Sequence, residues 1–120
     1  MITQEMLEDL FKNTRKLKAE GRIDWDIDHE CRWSFFFVDT SRDKLVAAGR
    51  HLEAAGYESV GLLEPSPEDD DQTMLYLRAD RVETHTVESL LQRNEELYSL
   101  ADSFGLGGYD GMDAGAAEGP

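Results

Sequence analysis

At 120 residues the chain has room for one domain and not for two, and with 40% hydrophobic residues it can build a core. Its 26 Asp and Glu against 12 Lys and Arg give a formal net charge of -14, which repels phosphates and anionic lipid and attracts basic protein segments. Nucleic acid and membrane are thus disfavoured as direct partners, and the single cysteine, Cys31, excludes an internal disulfide and every multi-cysteine zinc pattern.

Residues 1–21 predict an amphipathic opening helix. Ile2, Met6, Leu10 and Leu17, with Leu7 and Phe11 beside them, keep helical spacing from a Thr3 cap to the break at Gly21. Lys12, Arg15, Lys16 and Lys18 gather in its second half, where cations complement the negative helix end, and they read as charge complementation rather than a basic binding patch. No apolar stretch of leader or membrane-spanning length is present, so a cytoplasmic protein is expected.

From Asp24 the period changes to two. Trp25, Ile27, His29, Cys31, Trp33, Phe35 and Phe37 alternate with Asp24, Asp26, Asp28, Glu30, Arg32 and Ser34. This predicts a strand covered on one side and charged on the other, long enough that it must bend or begin irregularly. "TSRDKLVAAGRHLEAAGY" predicts a second helix, capped by Thr40 or Ser41, with a stripe of Leu45, Ala48, Leu52 and Ala55, and closed by Gly56. "YESVGLLE" and "TMLYLRADRV" predict two strands joined by a polar hairpin loop, "PSPEDDDQ".

A third helix is predicted from a Thr84 or Thr86 cap to Gly105, with Val87, Leu90, Leu91, Asn94, Leu97, Tyr98, Ala101 and Phe104 on one face. Tyr109 and Met112 then predict a short closing strand, and residues 114–120 a flexible tail. An added helix followed by β-α-β-β-α-β is the order of an α+β ferredoxin-like sandwich. Its antiparallel sheet carries helices on one face, and right-handed crossovers leave the first and third strands central. The expected organisation is one domain over 1–113, with the opening helix at 1–21 and the core at 24–113.

Little in the sequence points to catalysis. His29 and Cys31 have the spacing of two metal ligands on one strand face, but that face is apolar and no third ligand follows, so both are expected to pack in the core. His51 and His85 lack companion motifs and read as surface or cap residues. Glu68 to Asp71 lacks the spacing and glycine of a calcium loop and reads as a solvated tip. With no phosphate-cradling loop or nucleophile elbow, no metal, cofactor or enzymatic activity is expected. The RNA recognition motif shares this element order, and Tyr76, Arg78 and Arg81 are the nearest thing to a base-reading set. The carboxylates expected along the outer face of the first strand oppose RNA there. The same row, Asp26, Asp28 and Glu30, is instead expected to meet a Lys/Arg-rich segment of a protein partner.

The segment "LYSLADSFGLGGYDGMD" carries Leu-x-x-Leu-Ala-x-x-Phe, a glycine break and then Tyr109, Asp110 and Gly111. It resembles the C-terminal signature of the regulator of ribonuclease E activity B family, and "AAGRHLEAAGYESV" resembles that family's first core helix entering a strand. The likeness covers about residues 24 to 113. It implies a small acidic ferredoxin-like protein that binds ribonuclease E, or its basic unstructured region, and inhibits RNA processing without being an enzyme. The family motif continues with Trp-Gly and further aromatics, whereas Met112, Asp113 and Ala114 stand here, which implies a shortened last strand. The residues themselves favour a structural role for Tyr109, Asp110 and Gly111 over a contact role. A small-ligand or catalytic domain using the same sheet face is the alternative.

Overall fold

The computed structural model describes residues 1–65, 67–68 and 72–117. The elements are α1 (Gln4–Ala19), β1 (Cys31–Asp39), α2 (Arg42–Ala54), β2 (Glu58–Leu63), β3 (Leu75–Glu83), α3 (Val87–Ser103) and β4 (Gly108–Ala116). The strands form one antiparallel sheet in the order β2-β3-β1-β4, with β1 and β3 central. This is an α+β ferredoxin-like arrangement preceded by an extra helix. Half of the expected hairpin loop, Ser66 and Asp69 to Asp71, lies outside the described residues, as do 118–120 of the expected tail.

Each helix begins where its sequence signal placed it. Thr3, Ser41 and Thr86 are the N-caps, their side-chain oxygens accepting from Met6 N, Lys44 N and Ser89 N. Thr86 and Ser89 bond reciprocally as a capping box. Alternation along β1 sends Cys31, Trp33, Phe35 and Phe37, all fully buried, toward the helices. Leu45, Ala48 and Leu52 of α2, and Leu90, Leu97 and Ala101 of α3, close over them.

Three expectations need correction. First, α1 is rotated from the expected stripe: Leu7, Phe11 and Thr14 are its buried residues, and Met6 is 54% exposed. The cause is Trp33, against which Phe11 stacks at 6.3 Å, so the deepest contact sets the helix orientation. Second, β1 begins at Cys31, and residues 24–30 are turns rather than strand. The Arg15 guanidinium grips Asp28 through Nε at 2.8 Å, and the Asp28 N–H donates to Asp26 Oδ1 at 2.9 Å, folding this segment back on α1. Third, β4 is not shortened but runs nine residues, to Ala116, three residues into the expected tail. Its backbone pairs with β1 as far as Cys31 opposite Ala116, so main-chain bonding carries the strand without the missing aromatics.

Candidate functional site

The turns preceding β1 hold the carboxylates singled out by sequence. Asp26, Asp28 and Glu30 do not form a row along a strand, because none of them is in one. Asp28 is paired with Arg15, whose hydrogen bonds hold its carboxyl below the usual range. Asp26 caps the local turn and lies 3.6 Å from His29 Nε2. Glu30 is exposed and belongs to none of the described ion pairs. His29, expected in the core, is exposed because it precedes the strand, whereas Cys31 is fully buried. Burial, with Asp26 and Asp28 nearby, pushes the Cys31 thiol pKa up, so it has none of the character of a nucleophile or ligand.

With β1 starting at Cys31, the residues facing away from the helices are Arg32, Ser34, Phe36 and Val38. The RNA argument based on a row of carboxylates on that strand therefore loses its premise. Across β3 the same face shows Tyr76, Arg78, Asp80 and Val82, since Val38 pairs with Tyr76, Phe36 with Arg78 and Ser34 with Asp80. Tyr76 and Arg78 thus share this face, whereas Arg81 turns to the helix side and lies over the Tyr57 ring at 5.1 Å.

At the centre of the open face sits Asp80, whose side chain is only 1% exposed. Arg78 approaches it through Nε and Nη2, both at 2.9 Å, and Arg32 Nη1 donates to it at 3.0 Å and to Glu58 at 2.8 Å. Burial opposes ionisation of Asp80, but hydrogen bonds from Arg78, Ser34 and Arg32 outweigh it and hold its carboxyl below the ordinary range. Both arginines are committed to carboxylates, which leaves no net positive platform for a phosphate backbone. A hollow of about 310 Å³, lined by Arg32, Ser34, Arg78 and the end of β4, lies beside them.

A second cluster closes the helix side at the end of β3. Glu83 accepts from Arg93 and lies 3.2 Å from Arg81 Nε, and His85 Nε2 is 2.6 Å from its carboxylate. Burial opposes ionisation of Glu83, yet hydrogen bonds from His85 and Arg93 outweigh it and lower its pKa. His85, expected as a surface or cap residue, is buried edge-on to Trp33 at 5.3 Å, and its Nδ1 meets the α3 cap at Ser89 Oγ, 2.9 Å away. A Glu-His-Ser chain invites comparison with a hydrolytic relay. Ser89 Oγ, however, accepts the Thr86 N–H at 2.8 Å and contacts Thr86 O at 3.2 Å, so the hydroxyl is bound into the helix cap. The described cavities are lined by none of these three residues. The arrangement locks the start of α3 to the sheet.

The closing motif is built into the core. Tyr109 is 6% exposed, packs between the Phe37 and Tyr98 rings at 5.2 and 5.0 Å, and donates its hydroxyl to Asn94 Oδ1. Burial pushes its phenol pKa far up. Asp110 is the extra, exposed residue of a bulge, and Gly111 takes φ 115 there. Before it, Gly107 passes so close to Val38 that a Cβ would meet the Val38 carbonyl oxygen at 3.2 Å, and its N–H donates to Asp39 at 3.0 Å. Sequence reasoning missed both ion clusters. Arg78 and Asp80 carried a signal, being two apart on one strand face, but Arg32 joins them only through the β1–β3 register.

Among the described residues, no group of three or more His, Cys, Asp and Glu is placed to hold a metal, and no helix is long and apolar enough to cross a membrane. A family model described as regulator of ribonuclease activity B matches residues 2–114. No curated protein matches the chain.

Proposed function

The chain belongs to the regulator of ribonuclease activity B family, and from that membership we propose that it is a noncatalytic protein regulator of a ribonuclease E-like enzyme, acting in the cytoplasm. The match over residues 2–114 carries this reading, because it spans α1, both core helices and all of the sheet except the last two residues of β4. The net charge of -14 supports a partner contact with the enzyme's basic region rather than with its RNA. Of the three carboxylates singled out by sequence, Asp26, Asp28 and Glu30, the last is the one presented to such a region. Asp28 answers Arg15, and Asp26 holds the turn. Burial and mutual pairing of the ionisable groups on the sheet favour a binding protein over a catalytic domain.

The test is cleavage of a fluorogenic single-stranded RNA by a purified ribonuclease E-like enzyme while the chain is titrated in. Saturable inhibition is expected, relieved by salt as screening weakens the association, with no cleavage by the chain alone. Undiminished cleavage at excess chain and low salt overturns the regulatory reading. RNA binding by the chain alone at submicromolar concentration overturns the choice of a protein partner.

A further inference from the structure

β4 stands at the end of the strand order, so the side of its backbone turned away from β1 has no neighbouring strand among the described residues. It is nine residues long, and an open edge of that length is a template for another chain unless something covers it. A hollow flanks this edge on each face of the sheet. On the helix side, a groove of about 300 Å³ lies between β4 and α1, with Ile2, Met6, Leu10 and Met112 among its walls. Met6, part of the apolar stripe in the sequence, is left 54% exposed there. On the opposite face, Gly115, which stands across from Arg32 and has no side chain, leaves a hollow beside Arg32, Arg78 and Asp113.

Between the two hollows the edge backbone already has a stand-in for a partner. The Ala114 N–H, in place of a carbonyl from a neighbouring strand, donates to Asp113 Oδ1 at 2.9 Å. Successive side chains of a strand point to opposite faces, so a strand laid along this edge drops them alternately into the apolar groove and the polar hollow. The surroundings set the charge of such a strand. Asp110 and Asp113 are exposed on β4, Glu5 and Asp9 are exposed in the turns of α1 around Met6, and Glu30 adjoins Cys31, the residue paired with Ala116 at the strand's far end.

We propose that the β4 edge is the docking site for an extended segment of a partner polypeptide, which joins the sheet as a fifth strand. Apolar side chains at alternate positions enter the α1 groove, polar ones face Arg32, Arg78 and Asp113, and lysines or arginines at its ends meet the flanking carboxylates. The segment's membership of the regulated ribonuclease rests on the functional reading above; the edge geometry does not. A second copy of the chain is a poor occupant, because pairing β4 with β4 sets Asp110 and Asp113 against their own kind on two chains of charge -14.

The probe is an amidated peptide of alternating valine and threonine with two lysines at each end, titrated into the isotopically labelled chain. Amide shifts and slowed hydrogen exchange are expected along Met112 to Ala116 and in the first turns of α1. Met6→Asp, which charges an exposed groove wall, should weaken binding at least tenfold without moving the urea midpoint, and Ala114→Pro, which removes the outward N–H, should do the same. Shifts confined to the β2 edge, no shift at millimolar peptide, unweakened binding by Met6→Asp, or a β4-paired dimer of the chain alone in sedimentation each overturn the proposal. The ribonuclease assay separates the two readings. If the wild type inhibits and both variants inhibit equally, the edge proposal fails and the regulatory one stands; if the wild type does not inhibit while the peptide protects β4, the regulatory reading fails and the docking edge stands.

Discussion

Phe35 and Phe36 are neighbours of identical chemistry with opposite fates. Phe35 is fully buried beneath the helices, 6.0 Å from the Tyr57 ring, while Phe36 lies partly exposed on the open face, opposite Arg78. The strand's period of two assigns one to each side, so the comparison is between two ways of holding a sheet together. The covered face is held by apolar burial around Trp33, Phe35 and Phe37. The open face is held by a desolvated carboxylate between two arginines, with apolar side chains only partly withdrawn from water.

The largest effect belongs to the covered face. Phe35→Ala leaves a cavity that Leu45, Ala48 and Tyr57 fill poorly, and it should cost about 3–5 kcal/mol in urea unfolding. A loss under 1 kcal/mol shows that the helices slide to close the gap, which breaks the picture of a rigid packed face.

The open face is next, and its test is electrostatic. Asp80→Asn keeps the shape but removes the charge that Arg78 and Arg32 share, and it should cost about 2 kcal/mol, the scale of hydrogen bonds to a charged group. The pH dependence has a defined sign. Asp80 and Glu83 both titrate below their ordinary values when folded, so their contribution is complete above the unfolded pKa near about 4 and is lost as pH falls below it. Around Glu83 the permanent charges are Arg81 and Arg93, with His85 beside them. Thermal unfolding between pH 7 and pH 3 should show the wild type losing stability at the acid end, and Asp80→Asn losing less. Parallel curves for the two proteins refute the assignment of Asp80 as an acid-labile tie.

The sequence exposed the covered face far better than the open one. Leu45, Ala48 and Leu52, and Leu90, Asn94, Leu97 and Ala101, were legible because a helix repeats its buried side every three or four residues. Alternation likewise placed Trp33, Phe35 and Phe37. The same alternation ran on through Asp24 to Glu30, where no strand exists, because the bond between Arg15 and Asp28 that turns the chain joins residues thirteen apart. The open-face cluster depends on register: Arg32 meets Asp80 across 48 residues, and no local pattern states which residue of β3 faces which residue of β1. For His85 the residues offered a surface or a cap role; its contact with Ser89 Oγ lies at the α3 cap, while its burial comes from Trp33 and Glu83, which no local pattern announces.

Tyr109→Phe probes the place where a polar group is buried within the covered face. The ring contacts with Phe37 and Tyr98 remain, so the change isolates the hydroxyl, which donates to Asn94. Asn94 keeps its bond to Leu90 O at 2.8 Å but loses the donor to its own Oδ1. An acceptor left unpaired in the core costs about 1–2 kcal/mol, visible as a lower urea midpoint at constant slope. An unchanged midpoint means that Asn94 finds another donor, and the closing motif then contributes shape rather than bonding.

The smallest effect returns to the other phenylalanine. Phe36→Ala removes a ring that is partly exposed, so the apolar area returned to water is a fraction of that at Phe35, and β1 remains paired on both sides through its backbone. The expected cost is about 1 kcal/mol or less, measured in the same urea series so that the Phe35 and Phe36 values are compared directly. Arg78 stands opposite Phe36, but its bonds to Asp80 run through Nε and Nη2 and do not use the ring, so the pH profile should keep its wild-type form. A cost approaching that of Phe35→Ala requires a cover on the open face, either a second copy or a segment of this chain folded over it. Sedimentation of the wild type then distinguishes them, because only self-association makes the stability rise with protein concentration.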